Sequence, residues 1–412
     1  PPTATPLAIT GGTVAGVSAS NVLTNAGSIS IVAQAAAIAP KITVVGSGST
    51  NHTTFPVASA SAHVGVGIQQ NATAHATSTT TTVAVGGTSN FTYAGTANAS
   101  NTLTNSGSIT VGAMATATGA NASALAGVGT GIAQNAHAGG GTTGSFGFAS
   151  GGGPSDHASN TLTNSAAGVI TVGAVANANG GSFARASATV GTGIDQNASA
   201  IAKSGVASAS DTLTNDGTIT IGATANATGN GTALFGTAIA GSAFATATVG
   251  VGIHQVASAL ATGFAAVTTT FIGIPIGTLA PATASASVSL TNTGTIAIGA
   301  NAAAKAATAV AYATIGTGIS QVAHARADTA ANASASLNNA GLINVVAGAA
   351  ATGTTIAHAF ATVATGVYQS AFANAKSGAA VAGVSLTNAA GATIAVGATA
   401  NASVAGHVGT QA

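Results

Sequence analysis

A recurring motif, Leu-Thr-Asn-x-Gly-x-Ile, constrains the fold of this chain more than any other feature of its sequence. Its seven copies, two of them with one extra residue before the final apolar position, begin at Leu23, Leu103, Leu162, Leu213, Leu290, Leu337 and Leu386. The leucines are separated by 80, 59, 51, 77, 47 and 49 residues. The short intervals give a unit of about 48 residues, and the long intervals are the same unit with insertions. A constant frame with insertions at a few sites is typical of stacked repeats.

A second motif, Gly-x-Gly-Ile-x-Gln, alternates with the first. Its copies end at Gln70, Gln134, Gln196, Gln255, Gln321 and, in diverged form, Gln369. Both motifs combine alternating small residues, a glycine-containing bend and a β-branched residue, so we expect them to be variants of one half-unit. This predicts a double-coil repeat with about 24 residues in each coil. Roughly 13 coils, spaced ~4.8 Å apart like ordinary strands, would form a rod of ~60 Å.

Small apolar residues alternate with small polar residues through most of each unit, as in TIAIGANAAA of the fifth unit. Period-two alternation predicts strands with one face inside and one outside. Helix is disfavoured because Thr, Val, Ile, Asn, Ser and Gly interrupt every alanine run. The sequence therefore predicts an all-β fold, a β-solenoid (β-helix) of stacked coils with loop insertions.

The repeats divide the chain into two parts. Residues 1–20 lack a full motif and are interpreted as an N-terminal strand, a cap or an exchangeable segment. Residues 21–412 form the repetitive solenoid, with units that start near 21, 101, 160, 212, 289, 336 and 385. We also expect the N-terminal segment to complete an unfinished coil at the C-terminal end of another copy.

The composition excludes several classes of function. Charged residues make up 3% of the chain, Glu is absent, and the formal net charge is +1. Six Lys and Arg form no basic patch, so we expect no nucleic-acid partner. There is no Cys, and no apolar run reaches the ~18 residues of a membrane helix. A chain this neutral has little charge to keep it in solution, and it is more easily understood as an assembled solid.

The recurring amides are the candidate site residues. They are Asn25, Asn105, Asn164, Asn215, Asn292, Asn339 and Asn388 in the first motif, and Gln70, Gln134, Gln196, Gln255, Gln321 and Gln369 in the second. Stacked in register, these side chains would bond the copies above and below them as ladders. The favoured interpretation is structural, and the alternative is a row of amides that binds a ligand.

The titratable residues do not form a recognisable catalytic or metal site in the sequence. The histidines are His52, His63, His75, His137, His157, His254, His324, His358 and His407, and the acids are Asp156, Asp195, Asp211, Asp216 and Asp328. No close histidine pair is backed by Cys or by carboxylates, and no paired carboxylate suggests acid–base chemistry. We therefore expect no enzyme, no metal and no cofactor.

At segments such as TNSGSIT the chain resembles the β-helical passenger repeats of large bacterial secreted adhesins and autotransporters. Segments such as GIDQNASA are also similar to the repeats of curlin subunits, which stack Gln and Asn ladders. The first resemblance implies a β-helix, and with both we expect an extracellular or cell-surface location.

Two classes of function remain open. The first is a structural subunit of an extracellular filament or surface fibre that assembles head-to-tail with copies of itself. The second is a binding module: an adhesin stalk, or a flat threonine array that binds carbohydrate or ice, with surface polysaccharide as a partner. Thr-x-Thr rows would favour ice, but the regular rows are read as Ala, Asn, Gln and Ile, and TTTT falls in an insertion.

Overall fold

The computed structural model describes residues 16–39, 42–43, 53–54, 57–76, 79–84, 88–93, 95–140, 155–203, 205–234, 237–263 and 282–405. Within these ranges the fold is all-β and contains no helix. The strands are β1 Val17–Asn25, β2 Ser28–Ile38, β3 Ile42–Thr43, β4 Thr53–Thr54, β5 Val57–Ala76, β6 Thr79–Ala84, β7 Thr88–Tyr93, β8 Ala97–Asn105, β9 Ser108–Gly140, β10 Ser155–Asn164, β11 Val169–Ala202, β12 Val206–Asn215, β13 Thr218–Gly229, β14 Thr232–Leu234, β15 Thr237–Ile239, β16 Ser242–Ala261, β17 Thr283–Asn292, β18 Thr295–Ala327, β19 Ala330–Asn339, β20 Leu342–Ala375, β21 Ala380–Asn388 and β22 Thr393–Val404.

The alternation in the sequence becomes an alternation of burial. In β12, Ala207, Ala209 and Leu213 are buried, while Ser208 and Ser210 between them face outward. Successive side chains of a strand point to opposite faces of its sheet, so a strict period of two gives one apolar face and one polar face. The abundant alanine of this chain therefore forms the inner face of strands rather than a helix.

The copies of the first motif form a seven-stranded parallel sheet in the order β1-β8-β10-β12-β17-β19-β21. Each strand pairs with its equivalent in the next unit, so that Leu103 lies beside Leu162 and Leu162 beside Leu213. The pairing runs from β1 to β21 without a register shift. We call this the seven-stranded sheet.

The second sheet has nine strands and a path of β2-β9-β11-β13-β18-β20-β22, with β5 and β16 paired alongside it. Its long strands have two halves, separated in β11 by a register shift between Gly180 and Phe183. The first half of β11 pairs with β13, and its second half pairs with β16. We call these parts the proximal half and the distal half of each long strand, and β5 and β16 are distal halves on their own.

The predicted double coil is wrong. A coil of 24 residues would pair strands of the first motif with strands of the second. Instead Leu103 pairs with Leu162, and Gln134 pairs with Gln196, one whole unit away. A coil of 24 residues would place the motif leucine directly above a motif glutamine. A buried leucine requires apolar neighbours, whereas a buried glutamine requires hydrogen-bond partners. The seven layers of the seven-stranded sheet therefore rise about 29 Å rather than ~60 Å.

The buried apolar residues fall into two clusters. The larger one contains the motif leucines, such as Leu213, together with isoleucines of both halves of the long strands, such as Ile219 and Ile253. The smaller one is almost entirely alanine, from the distal halves and from the first residues of the seven-stranded sheet. Small side chains let the facing strands approach closely, so the core is thin. Stacked parallel strands of this kind are consistent with a β-helix or β-solenoid.

The outermost layers are more exposed than the middle of the stack. The motif leucine is 0% exposed at Leu103, Leu162, Leu213 and Leu290, but 49% exposed at Leu386 on β21. Val384 and Val396, at core-type positions of β21 and β22, are 56% and 50% exposed. At the other end, residues 17–20 of the predicted N-terminal segment belong to β1 and pair with residues 97–100. Residues 1–15 lie outside the described part.

Candidate functional site: internal amide ladders and two outer faces

The asparagines of the first motif form a continuous ladder, which we call the corner column. Each Nδ2 donates to the Oδ1 of the next unit, as from Asn164 to Asn215 and from Asn215 to Asn292, both at 2.8 Å. The same bond joins every neighbouring pair from Asn25 to Asn388, at 2.7–2.8 Å. Five of the seven side chains are 0% exposed, and Asn25 is 6% exposed.

The corner column also holds the turn that joins the two sheets. Asn215 Nδ2 lies within hydrogen-bond distance of the carbonyl of Gly217 at 3.3 Å and of Thr295 in the next unit at 3.0 Å. Glycine is needed at the turn because successive turns stack: a Cβ on Gly217 would overlap the carbonyl oxygen of Gly168. The Asn-x-Gly pattern is therefore dictated by backbone packing.

The glutamines form a second ladder, the glutamine column, from Gln70 to Gln369 with Nε2–Oε1 distances of 2.8–2.9 Å. Each Nε2 also donates across the interior to a carbonyl of the seven-stranded sheet, as from Gln196 to Thr212 at 3.1 Å. Gln134, Gln196, Gln255 and Gln321 are 0% exposed. The amide therefore ties the distal half of a long strand to the facing sheet.

The two columns have opposite polarity. Asn donors point towards the later unit, since Asn164 donates to Asn215. Gln donors point towards the earlier unit, since Gln196 donates to Gln134. Both directions are fixed by the backbone carbonyls that accept from the same amide nitrogens. Because a nitrogen must face these carbonyls, neither amide can be turned over without losing a bond.

A third column of polar side chains lies four residues before the corner column on the same strands. In this mid-strand column Asn21 donates to Asn101, Asn101 to Asn160 and Asn160 to Asp211, at 2.8–2.9 Å. The next strands carry Val288, Ala335 and Val384 at this position. Asp211 is 0% exposed, and burial raises the pKa of its carboxyl to about 8, against hydrogen bonds from Asn160 and from the backbone of Val256 and Ala198.

The outer face of the seven-stranded sheet is an array of hydroxyl groups. Three neighbouring outward columns have Ser or Thr at six of their seven positions. They are Ser20, Ser100, Ser159, Ser210, Ser287 and Ser334; Thr102, Thr161, Thr212, Ser289, Ser336 and Ser385; and Thr24, Thr104, Thr163, Thr214, Thr291 and Thr387. We call this surface the hydroxyl face. Sequence reasoning missed it, although the alternation within NTLTN places both threonines of each copy on one side.

The outer face of the distal halves is aromatic. Phe183, Phe244, Tyr312, Phe360, Tyr368 and Phe372 point outward there and are between 37% and 50% exposed. They are all the aromatic side chains whose burial the structure describes. The rings of Tyr312 and Phe360 stack with centroids 4.9 Å apart, and Arg326 lies 5.5 Å from the ring centre of Phe372. We call this surface the aromatic face.

The described titratable residues lie on the outside, apart from Asp156 and Asp211, which are buried. The described histidines lie on outward positions of strands, while His52 and His407 lie outside the described residues. His254 Nδ1 is 2.9 Å from Asp195 Oδ1, and Lys376 Nζ is 2.6 Å from Asp328 Oδ1. The hydrogen bond with Lys376 lowers the pKa of Asp328. No group of three or more His, Cys, Asp or Glu able to hold a metal occurs among the described residues.

Surface depressions in the described part are open and shallow. The two best formed have volumes of ≈ 420 and ≈ 440 Å³, and the second lies between outward residues of the distal halves such as Asn71, His137 and Asn197. The described residues include no helix that could span a membrane.

Comparison with known proteins gives no relative of this chain: no family model, no curated protein and no solved structure matches it.

Proposed function

We propose that the protein is a structural, non-enzymatic β-solenoid that assembles head-to-tail into an extracellular filament or surface fibre. The observation that supports this proposal is the polarity of the corner column at its two edges. Asn25 presents the acceptor end of the ladder, because no earlier asparagine in the described part donates to its Oδ1. Asn388 presents the donor end, since its Nδ2 donates to the carbonyl of Ala392 and to no later asparagine described.

Head-to-tail stacking would join these two ends with the correct chemistry. β21 of one copy and β1 of the next are versions of the same strand, so Leu386 would lie beside Leu23 and Asn388 would donate to Asn25. Head-to-head stacking would oppose two donors or two acceptors. The exposed apolar side chains of Leu386, Val384 and Val396 would be covered by the same contact, and exposed strand edges readily accept a further strand.

Among the described residues the glutamine column has six members and the corner column has seven. We also propose, from the sequence, that the N-terminal segment of one copy completes a coil of another. Contacts of this kind do not close, and they produce filaments.

The test is a truncation that removes residues 1–15 and keeps β1 intact. The full chain is expected to form filaments visible by negative-stain microscopy and to sediment as a broad distribution of large species. The truncated chain and Asn388→Leu should assemble more slowly or into shorter particles. Asn226→Leu is the matched control, since Asn226 lies on the outside and bonds Asn177 there.

One result would overturn the proposal of a filament, and a second would exclude only the exchange of the N-terminal segment. The first is a full-length chain that stays monomeric at high concentration with the circular dichroism of a folded β protein. The second is a truncated chain that forms filaments of normal length at the normal rate, which would exclude strand exchange by residues 1–15.

The second candidate is a stalk that binds neutral surface polysaccharide, and the aromatic face favours it. Exposed rings offer flat apolar surfaces on which sugar rings stack. We would measure retention on cellulose and chitin particles for the native chain, for Tyr312→Ala and Phe360→Ala, and for Leu125→Ala as an aliphatic control on the same face. Loss confined to the two aromatic variants would support this function, and retention that is absent or unchanged would contradict it.

A further inference from the structure

We infer that the hydroxyl face binds ice, the ordered lattice of solid water. The inference goes beyond the proposed fibre and does not depend on assembly. It starts from the geometry of an uninterrupted parallel sheet. Neighbouring strands are about 4.8 Å apart, and outward residues along one strand repeat at about 6.7 Å, twice the rise per residue. The Ser and Thr hydroxyls therefore form a regular two-dimensional lattice, on which an ordered layer of water molecules can be held.

The most regular part of this lattice lies on β8, β10 and β12. Each of these strands carries Ser-x-Thr-x-Thr at outward positions: residues 100, 102 and 104; 159, 161 and 163; and 210, 212 and 214. Threonine is restricted at χ1, so its hydroxyl and methyl groups are held in few orientations. Each hydroxyl can both donate to and accept from water, so the array can hold an ordered water layer with either proton arrangement.

Register is preserved across the whole face. The seven strands pair from β1 to β21 without a bulge, whereas the long strands of the other sheet carry register shifts. A bulge would displace every hydroxyl beyond it from the lattice. The in-register sheet therefore presents one continuous array rather than several short ones.

Charged side chains are absent from the outward positions of these seven described strands, and the turns beside the threonines are short. The outward positions of the seven strands contain no Lys, Arg, Asp or Glu, and His157 is the one histidine among them. Beside the threonines, the turns from each strand of this sheet to the next strand contain two to four residues. Strongly hydrated charges would disrupt an ice-like water layer, and large loops would prevent contact with a flat crystal.

The alternative surface is less suitable for ice. The aromatic face also has a column of outward threonines, Thr189, Thr248, Thr314 and Thr362. Their neighbours two residues earlier are Ser187, Thr246, Tyr312 and Phe360, so no second regular hydroxyl column accompanies them. This gives a matched control on the same molecule.

The test compares the native chain with Thr212→Tyr and Thr161→Tyr on the hydroxyl face and with Thr248→Tyr on the aromatic face. Thermal hysteresis, inhibition of ice recrystallisation and partition into growing ice would be measured. Circular dichroism and thermal melting would establish that each variant is folded. The native chain and Thr248→Tyr are expected to be active, and the two hydroxyl-face variants are expected to lose most of the activity.

Three outcomes would overturn the inference. The first is that the native chain, folded and tested in monomeric and assembled fractions, shows no activity in any of the three assays. The second is that all variants lose activity equally, so that the hydroxyl face is not responsible. The third is that Thr212→Tyr abolishes retention on crystalline cellulose or chitin but leaves ice activity unchanged, in which case the occupant of this face is polysaccharide.

Discussion

The corner column and the mid-strand column lie four residues apart on the same seven strands, yet one is invariant and the other is not. The corner column is Asn in all seven units. The mid-strand column is Asn in three units, becomes Asp211 in the fourth, and continues as Val288, Ala335 and Val384. Both are buried in the middle of the stack, so burial alone does not explain the difference.

The two columns bond different parts of the backbone. Corner asparagines bond their ladder neighbours and also the carbonyls of the turn, as Asn215 does with Gly217. The mid-strand column bonds the distal halves instead, as Asn21 does with the carbonyl of Asn71. The turn recurs in every unit with its asparagine, whereas the mid-strand position becomes apolar from Val288 onwards.

The largest change in the free energy of unfolding is expected at Asp211, where the polar residues of the mid-strand column end. Its folded pKa of about 8 lies above the ordinary 3.8, so the folded chain holds a proton that the unfolded chain releases. The stabilisation is fully present below about pH 4, decreases as pH rises, and is lost above about pH 8. At about 1.4 kcal/mol per pH unit, the raised pKa corresponds to roughly 6 kcal/mol of unfolding free energy.

Asp211→Asn should flatten this pH profile, because an amide still accepts from Asn160 and does not titrate. Denaturant unfolding between pH 4 and pH 9 would measure it. Asp216→Asn is the control, since Asp216 is exposed and accepts from Thr293 at the surface. If the unfolding free energy of the native chain does not change over this pH range, the pKa of Asp211 is not raised by folding.

A smaller loss of unfolding free energy is expected from Asn215→Leu in the corner column. The substitution removes the acceptor of Asn164, the donor to Asn292 and the bonds to two turn carbonyls. Since each buried group left without a partner costs about 1–3 kcal/mol, we expect a destabilisation of about 4 kcal/mol. Asn160→Leu is the matched change in the mid-strand column, and it should cost less. Equal losses in thermal or denaturant unfolding would remove the distinction between the columns.

The glutamine column provides an intermediate case. Gln196→Leu leaves Gln134 and Gln255 each without one ladder bond and frees the carbonyl of Thr212. The expected cost is roughly 1–3 kcal/mol, because Leu recovers part of it as apolar contact. Gln196→Met, which has a similar length and no amide, should behave in the same way if hydrogen bonds rather than shape are responsible.

The smallest change in unfolding free energy is expected for a substitution outside the core. Asn226 donates to Asn177 at 2.9 Å in a ladder-like contact on the exposed face. Asn226→Ala should change the unfolding free energy by less than about 0.5 kcal/mol, as is usual for surface substitutions. A loss as large as that at Asn215 would mean that amide pairing stabilises the stack regardless of burial.

The sequence was sufficient to predict strands, stacking and the positions of the repeated amides, because period-two alternation and motif spacing directly reflect which face is buried. It was not sufficient to predict the number of layers. Both motifs contain a glycine bend, and the sequence alone does not say which strand lies above Leu103. In the structure Leu103 pairs with Leu162 of the next unit, so each motif leucine stacks on another leucine. This pairing gives one layer for each unit.

Two features of the outer and inner faces were also missed. The threonines of Thr-Leu-Thr were read as part of the motif rather than as neighbours on one outward face. Asp211 was grouped with scattered acids, although alignment of DTLTN with NTLTN places it at the position of Asn160. Both errors come from considering residues along the chain rather than across the units.

The opposed directions of the asparagine and glutamine columns have an electrical consequence. A line of amides that all donate the same way adds up its side-chain dipoles, much as the peptide groups of a helix do. A single such line would place partial charge of opposite sign at the two tips, and the charge separation would grow with every unit added. Six bonds of the corner column and three of the mid-strand column point towards the later units, while five bonds of the glutamine column point the other way, so part of this field cancels within the cross-section. The field at each tip of the stack is therefore weaker than it would be if every column donated in one direction.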